Sequence, residues 1–154
     1  MNDWIDPALS LLAAMIAGGL IGLNRDMHGK PTGVRLHAMV ALGAAALVLV
    51  GRADSDPASS SRIIQGIVGG IGFLGAGVIM RSGTDVRRIQ HLTTATSIWV
   101  TAALGVACGA GAWRIAALAS IAVLLVLVAG YYIDKRLYGV LDTEDSDDHD
   151  PISP

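Results

Sequence analysis

Apolar residues gather in five long runs, at 7–23, 36–51, 63–80, 92–108 and 115–133, separated by short polar connections. No Asp, Glu, Lys or Arg interrupts any of them, which removes the largest penalty on insertion into lipid. Each run holds sixteen to nineteen residues, at or just under the roughly 20 that carry a helix across a hydrocarbon core of about 30 Å. Backbone in lipid must satisfy its own hydrogen bonds, and runs this continuous are too long for barrel strands. The pattern predicts an all-α integral membrane protein of five transmembrane helices, with a membrane domain over residues 1–136.

The basic residues fix an expected orientation. Arg25, Lys30 and Arg35 precede the second run, Arg81, Arg87 and Arg88 precede the fourth, and Lys135 and Arg136 follow the fifth. The opposite side has only Arg52, Arg62 and Arg114. By the bias of Lys and Arg toward the cytoplasm, the N-terminus is expected outside and the C-terminus inside. Six of the thirteen acids cluster at 142–150, so residues 137–154 are expected to be an acidic, disordered cytoplasmic tail.

Composition sharpens the class. Of 154 residues, 53% are hydrophobic and 16% charged, against about a quarter charged in soluble domains. Aromatics are 5%, so Ala, Leu, Ile, Val and 19 glycines carry the apolar surplus. This excludes a disordered chain, a disulfide scaffold and an ordinary soluble enzyme. The lone Cys108 has no internal partner, and the acidic start lacks the positive region of a cleavable signal.

Glycine is densest in the third run, at positions 66, 69, 70, 72, 75 and 77. Gly70 to Gly75 satisfies G-x-G-x-x-G, but a dinucleotide site needs a soluble βαβ unit around it, and this stretch is long enough to cross a bilayer. No Walker A pattern occurs. In lipid, small residues four apart let helix backbones approach, and Gly18/Gly22, Gly66/Gly70 and Gly105/Gly109 have that spacing. The third span is therefore expected at the centre of the bundle, with a bend or break near 69–77 as the alternative use of its glycines. The fourth run opens with Thr93, Thr94, Thr96, Ser97 and Thr101, hydroxyls expected to face the third span's glycines across a packed interior. His37, Gln65 and His91 lie within a turn or so of a span end. No metal-ligand spacing, nucleophile–base constellation or intramembrane carboxylate pair is visible, so no enzyme, metal or cofactor is expected.

The stretches at 18–45, 62–80 and 92–111, with GIGFLGAG followed by LTTA and Trp99, resemble the MgtC/SapB family of bacterial membrane proteins. The resemblance covers roughly residues 15–130. It implies five spans with an outward N-terminus in the bacterial inner membrane, a role in low-magnesium adaptation and virulence through survival inside macrophages, and regulation of the F-type ATP synthase. The motif candidates are Arg25, Asp26, Arg35, His37, Gln65, Gly70, Gly72, Gly75, Gly77, Thr93, Thr94 and Trp99. Many members carry a soluble C-terminal domain, and this chain is expected to be a short form without it.

Two functions are expected to compete. The first is a non-enzymatic regulator that binds another membrane protein. The second is a transporter or channel for Mg2+ or another small solute, built from third-span carbonyls and fourth-span hydroxyls. The expected partners are the lipid bilayer, a membrane protein such as the F-type ATP synthase, and a second copy through the glycine-rich helices; nucleic acid is not among them.

Overall fold

The computed structural model describes residues 4–30, 32–54, 56, 58–80 and 92–144, with the side chains of 134, 135 and 137–144 left out of the description. Five helices follow one another: α1 (Ile5–Met27), α2 (Val34–Ala53), α3 (Ser59–Met80), α4 (Leu92–Gly109) and α5 (Trp113–Glu144). Among the described residues there is no strand. All five are long and apolar enough to cross a membrane. The chain is a multi-pass, all-helical membrane protein.

Local sequence explains where these helices start and stop. Pro7 sits in the first turn of α1, where its missing N–H leaves no carbonyl unpaired, and Asp6 meets the positive end of the helix dipole. At the other end Gly29 takes φ +61°, with Gly29 N–H donating to Asp26 O and Lys30 N–H to Arg25 O. That paired closure is a Schellman motif, and it needs the left-handed residue that glycine supplies. α4 closes the same way at Gly111, φ +73°, with Gly111 N–H to Cys108 O and Ala112 N–H to Ala107 O. Arg52 adds a cation there, its Nη1 donating to the Gly109 carbonyl at 2.9 Å. Before α3, the Asp56 carboxylate accepts from Ala58 N–H at 2.9 Å and from Arg62. Those bonds hold the Asp56 carboxyl below its usual range, the Arg62 contact first.

α1 and α2 form the most extensive pairing, and α4 lies across both. The interior is built of small side chains: Ala14, Ala41, Ala45, Ala102 and Cys108 are buried with Ile21, Val48, Ile98 and Leu104. Glycine brings the backbones together. A Cβ at Gly18 would lie 2.5 Å from the His37 carbonyl oxygen, one at Gly22 2.5 Å from Val34 Cα, and one at Gly109 2.6 Å from the Ala45 carbonyl oxygen. Large apolar residues such as Phe73, Leu118 and Leu125 point outward, as lipid permits.

Three expectations are corrected. α3 is peripheral, with none of its most apolar 18-residue window buried. A Cβ at Gly66, Gly69, Gly70, Gly72 or Gly77 would meet nothing within 4 Å, so these glycines create no close packing within the chain. Nor is α3 broken between 69 and 77: it has no proline, and in lipid a continuous helix is the cheapest way to satisfy its backbone. Finally, α5 runs to Glu144, so helix occupies the first part of the stretch expected to be disordered from 137. Leu137, Val140 and Leu141 keep a helical apolar spacing there, and no proline intervenes.

A candidate functional site at the α1–α2–α4 junction

The last turn of α1, the first turn of α2 and the first three turns of α4 converge on a buried polar cluster. Arg25, His37, Thr94, Ser97 and Thr101 are all nearly or fully inaccessible. Arg25 Nη2 donates to Thr94 Oγ1. His37 places Nδ1 3.0 Å from the Gly33 carbonyl oxygen and Nε2 3.2 Å from Ser97 Oγ. Ser97 Oγ lies 2.7 Å from the Thr94 carbonyl oxygen, and Thr101 Oγ1 donates to the Ser97 carbonyl at 2.8 Å. Thr94 and Ser97 thus turn toward α1 and α2, away from the α3 glycines they were expected to face.

The Gly33 carbonyl only accepts, so Nδ1 of His37 carries a proton. Ser97 has one hydroxyl proton and two takers, the Thr94 carbonyl and His37 Nε2. With neutral imidazole, Ser97 donates to Nε2; with imidazolium, Nε2 donates to Ser97, which turns to the carbonyl. Both states satisfy the imidazole with the heavy atoms in place. Ser97 is 3% exposed, so the pair lies out of reach of a substrate that a nucleophile–base couple of the hydrolase kind would attack.

Arg25 is the unusual member. It is 5% exposed, its described partner is one hydroxyl, and its Nε has none. Asp26, next in sequence, is exposed and turns elsewhere: its Oδ2 accepts from Val34 N–H at 3.0 Å, closing the α1–α2 turn. A Cβ on Gly33 would run into that same carboxylate, so glycine is what lets the turn fold onto Asp26. Within the turn Thr32 holds φ +66° with its Oγ1 buried and unpartnered. A β-branched residue in the left-handed region is strained.

The sequence candidates therefore separate. Arg25, His37 and Thr94 come together, with Asp26 bracing the turn beside them. Arg35 is exposed and lines a cleft between α2 and α3, as does Gly70. Gln65, Gly72, Gly77 and Thr93 are exposed, Gly75 packs lightly on Ala95, and Trp99 is half exposed. His91, Arg81, Arg87 and Arg88 lie outside the described residues. Sequence reasoning placed Ser97 and Thr101 on one helical face in a packed interior but missed that Ser97 meets His37. It also missed Thr32 and the clamp of Arg52 on α4. Among the described residues no three of His, Cys, Asp or Glu gather as a metal site would require.

Comparison with known proteins adds to this geometry. The profile of the MgtC family matches residues 11–136. Protein SrpB of Synechococcus elongatus is 40% identical over 137 residues, covering 82% of this chain and 75% of that protein. Protein MgtC of Salmonella typhimurium is 48% identical over 116 residues, 75% of this chain and 48% of its own length. Protein MgtC of Brucella abortus is 42% identical over 119 residues, with 77% and 49% covered. The chain thus spans about half the length of these MgtC relatives. No solved structure matches it.

Proposed function

Because the chain belongs to the MgtC family of membrane proteins, we propose that it is a non-enzymatic regulator of the bacterial inner membrane. It acts by binding another membrane protein, and the partner implied by the family resemblance is the F-type ATP synthase. Its physiological setting is low-magnesium adaptation and intracellular survival. The basic connections orient it with its N-terminus out.

One observation carries this reading: α3 offers an uncovered face of small residues, while Thr94, Ser97 and His37 are engaged with partners inside the bundle. Gly69, Gly72 and Ala76 are exposed on the side of α3 turned away from α2, and a Cβ at either glycine would meet nothing within 4 Å. A pathway for Mg2+ gains no support from the same arrangement, since Thr94 and Ser97 turn to Arg25 and His37 and not to the α3 glycines.

The test is affinity purification of the tagged protein from native membranes in mild detergent. The wild type is expected to retain ATP synthase subunits, and Gly72→Leu, which adds a side chain into open space, to lose them while staying monodisperse. Retention of the chain alone, or of a second copy only, overturns the proposed partner. Purified protein in proteoliposomes is expected to give no saturable Mg2+ entry above empty vesicles; entry abolished by Thr94→Val would replace the regulator with a transporter.

A further inference from the structure

α2 and α3 touch at one end and part toward the other. Near their connecting turn a Cβ on Gly51 would lie 2.6 Å from Ile63 Cδ1, whereas Cβ atoms on Gly66 and Gly70 would meet nothing within 4 Å. The wedge between them is a cleft of about 780 Å3, floored by Ala44 and Ala102. Its walls include Gly43 and Leu47 of α2 and Gly66, Gly70 and Leu74 of α3, and among the described residues its one charged wall residue is Arg35.

Size, depth and charge restrict what occupies it. A cleft with apolar walls facing the bilayer holds hydrocarbon in preference to water. The distance from Arg35 to Leu47, 12 residues along α2, is about 18 Å, slightly over half a hydrocarbon core of about 30 Å. That is the reach of one leaflet. Arg35 stands at the second position of α2, where the helix enters the membrane, and makes no hydrogen bond or ion pair with another described residue. A guanidinium there presents paired donors to a phosphate. Basic positions between membrane helices are suited to anionic headgroups.

We propose that the α2–α3 cleft is a binding site for one anionic phospholipid. Its acyl chain lies along Gly43, Gly66 and Gly70, and its phosphate is held by Arg35. This site is separate from the α3 face proposed for a protein partner. Gly72 is two residues from Gly70, about 200° round the helix.

Native mass spectrometry of the purified protein tests it, with phosphatidylglycerol and phosphatidylethanolamine of identical chains as probes and glycerol 3-phosphate as a chainless control. The wild type is expected to retain phosphatidylglycerol about tenfold better than phosphatidylethanolamine, and Arg35→Gln to remove that preference, the scale of one charge-assisted contact. Gly70→Leu, which fills the cleft, is expected to lower retention of both lipids, and Gly72→Leu of neither. Gly43→Leu fills the cleft from the other wall and replaces Gly70→Leu if that variant fails to fold. Equal retention of the two lipids by the wild type overturns the proposal. Equal loss in Gly70→Leu and Gly72→Leu does the same, as does glycerol 3-phosphate binding as well as the lipid, which would reduce the site to an exposed arginine.

Discussion

At the scale of single residues, the consequential one is Arg25, a buried cation held by a hydroxyl with no described carboxylate against it. Removing that hydroxyl leaves the guanidinium unsatisfied at a place water does not reach. Thr94→Val is therefore expected to destabilise the protein by about 2–3 kcal/mol, the scale of a hydrogen bond to a charged group, with Thr94→Ser close to wild type. Thermal unfolding in detergent, read for both variants, decides it; equal midpoints for Val and Ser would mean that Arg25 finds another partner. Thr32 gives the opposite sign. Replacing a β-branched residue at φ +66° by Gly relieves about 1 kcal/mol of left-handed strain, so Thr32→Gly is expected to raise the unfolding midpoint. Neither residue's situation was legible in sequence. Arg25 and Thr94 each stood out as motif members, but spacing along one helix does not say which helix it will face. A positive φ at Thr32 goes against that residue type's preference, so it leaves no compositional trace.

At the scale of elements, the five helices were legible because lipid imposes one simple rule: a run without charge, long enough to cross, becomes a helix. The ends were less so, since helical hydrogen bonding continues into polar flanks: α1 begins before residue 7 and runs past 23, and α5 continues past 133. Glycine misled in one helix and informed in two. Small-residue spacing marks a face that permits close approach, and only the fold decides whether a neighbour uses it. α4 uses Gly105 and Gly109 against α2; α3 leaves most of its glycines uncovered. Substitution separates the cases. Gly105→Ala forces a methyl into the Ala41 carbonyl and is expected to abolish monodisperse expression. Gly69→Ala meets open space and is expected to gain about 0.5–1 kcal/mol from helix propensity. Size-exclusion profiles and unfolding midpoints of the two variants check this, and similar behaviour would contradict the placement of α3 at the periphery. In the α2–α3 connection, Asp56 has its pKa lowered by folding, so its contribution is complete above the unfolded value near 4 and is lost as pH falls below it. Protection from hydrogen exchange at Ala58 and Ser59, taken relative to the intrinsic rate at each pH, is expected to fall in that acidic range in the wild type and not in Asp56→Asn.

At the scale of the whole molecule, burial is uneven: half of α4's span is inside, but almost none of α3's or α5's. The protein is a three-helix core with two helices applied to its outside. The buried, lone Cys108 makes topology straightforward to read, because introduced thiols report without background. In intact spheroplasts an impermeant maleimide is expected to label Asn2→Cys and spare Asp148→Cys; the reverse pattern would invert the orientation drawn from the basic connections.

The link between Arg25 and Thr94 joins positions 69 residues apart in the chain. A ribosome adding about 5–20 residues per second needs roughly 3–14 seconds to make that intervening stretch. For that interval the α1–α2 hairpin enters the membrane without the hydroxyls that will complete it, and an unsatisfied arginine must wait at the mouth of the insertion machinery or in the headgroup layer. α4 is thus the helix whose arrival ends the vulnerable phase of biosynthesis. Nascent chains stalled just before residue 92 are expected to be degraded faster than chains stalled after α4 is complete.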